Sequence, residues 1–228
     1  MKIGAVTVGQ APRTDLTPDI LPLLGEHVEF MERGALDFIT PEEILQIQPE
    51  EGDYVLVSRM RDGSQIRFAE RKILNRIQEA IEDLQKRGAE CILMLCTGKF
   101  PKAFQSEVPL IYPYDLLGAI VPLLAENRDV AVVIPDKSQE KQCARRWSRL
   151  EGRVTVVSGS PYKGIEGVRE AAQQMKGGRN SMVILDCMGY TQEMKNEVCR
   201  ITGKPVILPR TLLARVVREY IGECCSKI

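Results

Sequence analysis

Seven cysteines and one histidine bound the chemistry open to this 228-residue chain. The cysteines are Cys91, Cys96, Cys143, Cys187, Cys199, Cys224 and Cys225, and the histidine is His27. A single imidazole rules out a His-rich zinc site and makes any Ser–His or Cys–His relay depend on that one residue. No CxxC or CxxH pair occurs, and the adjacent Cys224 and Cys225 do not readily share one tetrahedral site, so structural zinc is not expected. Two cysteines stand apart from the rest. Cys96 in "LMLCTGKF" and Cys187 in "VILDCMGYT" each end an apolar run and are each followed, two residues later, by glycine. Two thiols on opposite sides of one carbon suit stereoinversion: a thiolate removes the proton and a thiol returns one to the other face. The glycines let backbone N–H groups approach an anion closely, and helix N-termini after both loops would favour the thiolate and hold a carboxylate.

The elements that must carry these loops are legible as a rhythm. Apolar runs of four to seven residues alternate with stretches of helical period. Strands are expected at Ile3–Val8, Val28–Glu32, Tyr54–Ser58, Cys91–Leu95, Val130–Pro135, Val154–Ser158, Ser181–Leu185 and in "PVIL" from Pro205. Helices are expected at about Thr17–Leu24 and from Pro41, where Thr40 is the N-cap and acids fill the first turn. The clearest helix lies in "AERKILNRIQEAIEDLQKRG", with Ile73, Ile77, Ala80, Ile81 and Leu84 on one stripe and Gly88 as the stop. Further helices follow at about Ser138–Leu150, Glu166–Lys176, Gln192–Thr202 and Arg210–Ile221. Buried strands alternating with helices mean parallel sheets covered on both faces.

The rhythm also repeats. "PLIYPYDLLGAIV" starts at Pro109 and "PVILPRTLLARVV" starts at Pro205, 96 positions on, with Pro, Ile, Pro, Leu, Leu and Val in register. Upstream, "GAECILMLCTG" resembles "GRNSMVILDCMG" and brings Cys96 into register with Cys187. The reading is a duplicated α/β fold of two Rossmann-like parallel-sheet halves, related by a pseudo-twofold, with a ligand cleft between them. The closing helix is expected to pack back on the first half. One domain would then comprise residues 1–115 plus 210–228 and the other residues 116–209.

Ligands of parallel α/β sheets bind beyond the carboxyl ends of strands. Besides the two cysteine loops, "TVGQAPRTD" leaves such an end. Gly9, Gln10, Pro12 and Arg13 are there either a turn or an anion clamp. Arg59, Arg61 and Arg67 in "SRMRDGSQIR", which reads as a turn, are either a solvated face or an anion site. Asp186 accepts backbone hydrogen bonds or, by repulsion, raises the thiol pKa of its neighbour. Cys91, at a strand start, reads as a core residue, and the remaining cysteines as inert or surface groups on helices.

Composition narrows the partners. With 31 basic against 31 acidic residues the chain has no net field to recruit nucleic acid or anionic membrane, and 5% aromatics is too few for base-stacking platforms. No apolar run approaches the roughly 20 residues that span a bilayer, and no leader pattern opens the chain. A cytoplasmic protein with reduced thiols is expected. Neither GxGxxG nor GxxxxGK[ST] occurs, so no cofactor is expected.

Taken together, "TVGQAPRTDLTPD", "SRMRDGSQIRFAERKI", "LMLCTGKF" and "VILDCMGYT" resemble the AroM family over nearly the whole chain. That family is itself similar to the aspartate/glutamate/hydantoin racemase superfamily. The resemblance implies two Rossmann-like halves and Cys96 and Cys187 as an acid/base pair. It also implies Thr97, Gly98, Met188, Gly189 and Tyr190 as the backbone around a bound carboxylate. Gly9, Gln10 and Arg13 would be the family-specific part of the pocket, and a homodimer is typical of such proteins. Thr97–Gly98 stands where amino-acid racemases of the superfamily carry Asn–Thr, and Met188 where they carry Thr. The leading expectation is a cofactor-independent racemase or epimerase of a small carboxylate. The alternatives are a single-cysteine decarboxylase or isomerase of the same superfamily, and a non-catalytic small-molecule-binding protein on this scaffold.

Overall fold

Val130–Ile134, Cys91–Met94 and Met182–Leu185 are buried at every residue, as only strands covered on both faces can be. They belong to two separate four-stranded parallel sheets. The computed structural model describes residues 1–100 and 104–222. By its contacts the chain divides into two units. One holds Met1–Tyr114 and the chain from Arg210 on, and the other holds Asp115–Pro209. Among the described residues no helix is long and apolar enough to cross a membrane.

The first unit starts with β1 (Lys2–Thr7), α1 (Thr17–Leu24) and β2 (Glu29–Gly34). Next come α2 (Pro41–Gln46), β3 (Val55–Arg59), β4 (Gln65–Ala69), α3 (Leu74–Lys86), β5 (Cys91–Met94) and β6 (Leu110–Ile111). Its sheet order is β2-β1-β5-β6, parallel throughout, with Ile3 opposite both Phe30 and Cys91. The apolar stripe of α3 packs on β1 and β2: Ile77, Ile81 and Leu84 are fully buried, and Gly88 takes φ +88° where the helix stops. Thr40 closes α2 with a reciprocal capping box to Glu43.

The expected strict alternation of strand and helix fails in one place. β3 and β4 form an antiparallel hairpin that pairs with neither main sheet. "SRMRDGSQIR" is therefore a turn only over its middle, and the helix of "AERKILN" begins no earlier than Leu74. The cause is local: Ile66 and Phe68 are buried while Arg67 between them is exposed, a period of two that no helix satisfies. Arg67 thus lies on the outer face of the hairpin.

The second unit holds α4 (Pro113–Ala125, from Asp115 on), β7 (Val130–Ile134), α5 (Glu140–Trp147), β8 (Val154–Ser158) and α6 (Ile165–Met175). It continues through β9 (Met182–Leu185), α7 (Gln192–Thr202) and β10 (Val206–Ile207). α8 (Pro209–Ile221) returns to the first unit from Arg210 on. The order β10-β9-β7-β8, again all parallel, is that of the first sheet once the hairpin is set aside. Each sheet reads second–first–third–fourth. The matched segments of the repeat are matched elements: β6 with β10, and α4 with α8. In each unit the chain leaves the first strand to one side and returns with the third on the other. The carboxyl ends of β1 and β5, and of β7 and β9, are therefore topological switch points.

α8 is fastened to the first unit by charge. Arg210, with no exposed surface, donates through Nη1 to the Asp15 carbonyl (2.7 Å) and the Asp19 carboxylate (2.9 Å) on α1. About two turns later Arg218 donates to the Leu24 carbonyl at the other end of α1.

Candidate functional site

At the carboxyl end of β1 the chain turns sharply through Gly9, Gln10 and a cis Ala11–Pro12 bond. Two neighbours hold this loop. From the β2–α2 side, Asp37 accepts the Ala11 N–H (2.7 Å) and the Gly34 N–H (2.8 Å). From the hairpin side, Arg61 donates to the Ala11 carbonyl through both Nε and Nη2. The Gln10 amide joins the two sides: its nitrogen donates to the Leu36 carbonyl (3.0 Å) and its oxygen accepts the Arg61 N–H (2.7 Å). Gly9 is where the hairpin touches the loop. A Cβ there would collide with Ser58 Oγ and lie within 2.6 Å of the Arg59 carbonyl, so no larger residue fits without moving the hairpin.

Arg13 is 3% exposed. Its Nε and Nη2 bond the two Asp15 oxygens, each at 2.8 Å, and Nη1 donates to Thr7 Oγ1 at 3.0 Å and Ser58 Oγ at 3.5 Å. Burial works to raise the Asp15 carboxyl, but the Arg13 hydrogen bonds and the charges of Arg13, Arg210 and Arg59 hold it below the usual aspartate value. Glu32 accepts the Arg13 N–H, and burial raises it despite that bond. Arg59 is placed differently. It is half-buried, its guanidinium makes no hydrogen bond or ion pair with any described residue, and it adds positive charge near Asp15. Of the three loop residues expected to line a pocket, Gln10 and Arg13 are bonded into the loop itself. Arg59 is the guanidinium with donors to offer.

Cys96 follows β5, and Cys187 follows β9, at the switch point of their respective sheets. They are 9% and 7% exposed and border the apolar cores of their units. Around each the same turn forms: the Gly98 N–H donates to Cys96 Sγ at 3.3 Å, and the Gly189 N–H donates to Cys187 Sγ at 3.4 Å. An amide hydrogen aimed at sulfur stabilises negative charge there. A Cβ at either glycine would displace a neighbouring side chain, lying 2.5 Å from Leu56 Cδ2 at Gly98 and 2.6 Å from the Tyr162 hydroxyl at Gly189. Thr97 and Met188, between cysteine and glycine, are buried.

The two loops then diverge. α7 starts at Gln192, five residues after Cys187, with Thr191 as its N-cap. After Cys96 the described residues form no helix before β6, which corrects the expectation of a helix N-terminus behind both thiols. The stretch from Lys99 to Pro109 has prolines at 101 and 109, and at its start Tyr54 accepts the Lys99 N–H.

Beside Cys187, Asp186 does not repel the thiol as a bare charge: Arg146 Nη1 bonds both its oxygens (2.8 and 3.0 Å) and Trp147 Nε1 donates at 3.4 Å. Tyr190 is fully buried and donates to the Gly159 carbonyl, and burial raises it well above a normal phenol. Tyr162, on a single 3₁₀ turn after β8, brings its hydroxyl to 3.7 Å from Cys187 Sγ. The other thiols are set apart from this role. Burial pushes Cys91 up to about 11 and raises Cys143 further, whereas Cys199 is exposed on α7. Cys224 and Cys225 lie outside the described residues. Among the described residues no cluster of ligand side chains fits a metal ion.

Sequence reasoning missed Asp37, Ser58, Tyr162, Arg146 and Arg210. Asp37 had a signal in "GALDF", an acid after a tight turn, but nothing local pointed to the loop it holds 26 residues earlier.

Residues 3–221 match the family model described as AroM protein. No curated protein sequence matches the chain. Three similar solved structures are aspartate racemase from Picrophilus torridus, arylmalonate decarboxylase, and glutamate racemase from Campylobacter jejuni subsp. jejuni. The first is 13% identical, with 96% of this chain and 94% of that chain aligned at a TM-score of 0.62. The decarboxylase is 13% identical, with 98% and 93% aligned at 0.62. The glutamate racemase is 14% identical, with 96% and 86% aligned at 0.61. At these identities the likeness is one of fold.

Proposed function

This chain belongs to the AroM family, and from that premise we propose that it is a cofactor-independent racemase or epimerase of a small, amino-acid-like carboxylate. The observation that carries the reading is the pair of matched cysteine turns. Each half offers one sulfur at the end of its third strand, and each sulfur receives the N–H of the glycine two residues on. In the proposed reaction one thiolate removes the proton from the carbon next to the carboxylate, whose oxygens take up the charge. The other thiol then returns a proton to the opposite face, and the two sulfurs exchange protonation states. Arg59 and the N–H groups around Gly98 and Gly189 bind the carboxylate, while Gln10 and Arg13 hold the β1 loop in shape. The test is incubation with candidate amino acids and dicarboxylates in D₂O. Deuterium entering at that carbon, together with loss of optical rotation, is the expected outcome, and absence of both across carboxylates that bind would leave a binding protein.

A second reading, a single-cysteine decarboxylase, is favoured by the likeness to arylmalonate decarboxylase. It predicts release of CO₂ from malonate-type substrates that survives loss of Cys96.

A homodimer belongs to the proposal. α4 exposes Ala119 and Leu123, where its counterpart α8 carries Arg215 and Glu219, so the duplicated fold does not itself require an apolar face there. Leu123 is 73% exposed. Light scattering is expected to give twice 25.6 kDa for the wild type and a lower mass for Leu123→Glu. A monomeric wild type removes the dimer from the proposal.

A further inference from the structure

The geometry points to Tyr162 as the positioning residue of the Cys187 sulfur: its hydroxyl donates to the thiolate and keeps that sulfur ready to accept a proton. This inference rests on the reading of Cys187 as an acid–base group. The observations are structural. Tyr162 stands on a turn of Pro161–Lys163 whose conformation is set by Ser160, buried, with Oγ accepting the Tyr162 N–H at 3.1 Å. The phenol reaches over Gly189, the one position in the loop where the absence of a Cβ leaves it room. There it meets Cys187 Sγ at 3.7 Å, within reach for a bond to sulfur.

Cys187 is nearly closed to water, so the bonds that stabilise charge on its sulfur come from the protein. The Gly189 N–H supplies one, and the Tyr162 hydroxyl supplies a second. The neighbouring phenol cannot substitute for it, because the Tyr190 hydroxyl already donates to the Gly159 carbonyl at 2.8 Å. Besides Cys187 and Tyr162, the groups whose charge reaches the adjacent Tyr190 phenol are Asp186, bonded by Arg146, and the Cys143 thiol, buried and therefore neutral near pH 7. Neither donates a hydrogen bond to the sulfur. In the proposed reaction Tyr162 keeps its own proton throughout. The proton that moves passes between Cys187 and the substrate carbon, and the phenol shifts from donating to the thiolate to accepting from the thiol.

The experiment follows alkylation of Cys187 by iodoacetamide in the whole protein, quantified on the peptide by mass spectrometry from about pH 5 to about pH 10. It needs no substrate, so it succeeds or fails independently of whether the protein turns one over. Tyr162→Phe keeps the ring against Gly189 and removes only the hydroxyl. It is expected to move the midpoint of the alkylation profile up by about one pH unit, a roughly tenfold slower reaction below the midpoint. Gly189→Ala keeps the hydroxyl but pushes it off the sulfur, and is expected to shift the midpoint the same way. The two variants perturb packing differently, and circular dichroism identifies which is folded. A midpoint within a few tenths of the wild-type value in a folded variant overturns the assignment.

Discussion

Replacing Cys187 with serine is expected to lower racemisation by about 10²- to 10⁴-fold, the usual contribution of a positioned acid or base. A hydroxyl is a far weaker base than a thiolate near neutral pH, yet it is nearly the same size and still accepts the Gly189 N–H, so the fold should be kept. The informative detail is what survives. In D₂O the Cys187→Ser protein is expected to wash deuterium into one enantiomer only, because the remaining thiol still reaches one face of the carbon. Cys96→Ser is expected to give the mirror pattern. Full turnover in both variants on a proven substrate would falsify the two-thiol mechanism. Loss with Cys187→Ser alone would instead select the single-cysteine reading.

The largest expected effect on stability is at Arg210. Its guanidinium is wholly buried and joins the start of α8 to both Asp15 and Asp19. Arg210→Ala leaves the Asp19 carboxylate, only 23% exposed, without this cation, and strands the Asp15 carbonyl. Removing one partner of such a pair costs about 3–5 kcal/mol. A urea titration is expected to show the loss as a midpoint lowered by about 1 M or more. Arg218→Ala, which removes a hydrogen bond to Leu24 from a side chain that reaches the surface, is expected to cost about 1 kcal/mol. Equal midpoints for the two variants would mean that α8 is held by its apolar face rather than by the buried charge.

Most of the secondary structure was legible because parallel α/β elements announce themselves locally. Val154–Ser158, Thr17–Leu24 and Gln192–Thr202 have the bounds that their apolar period suggests. The Thr40 cap could be read from residue types alone, since a capping box is closed within four residues. The hairpin was less visible. Its second strand, "QIRFA", alternates over only five residues, and the stronger helical signal immediately after it pulls the eye downstream. The β1 loop illustrates a different limit. Gly9, Gln10 and Arg13 stood out in the sequence, but two roles, turn and anion clamp, fit them equally. The bonds to Leu36, Asp15, Ser58 and Arg61 tie Gln10 and Arg13 into the loop, whereas the Arg59 side chain makes none to a described residue.

By itself the sequence determined the family, the α/β class, the duplication and the two cysteine turns. These rest on patterns readable along the chain: an apolar period, a cap, a cysteine with a glycine two residues on, and the segment from Pro109 recurring 96 positions later at Pro205. The tertiary structure decided which charged and polar groups act together. It put Asp37 under a loop 26 residues away, brought Arg210 back to Asp15 and Asp19, and set the Tyr162 hydroxyl beside Cys187. A hydrogen bond to sulfur or a buried ion pair depends on distances of a few ångströms between residues far apart in the chain. Side-chain type says only that such a bond is chemically possible, and packing decides whether it is made.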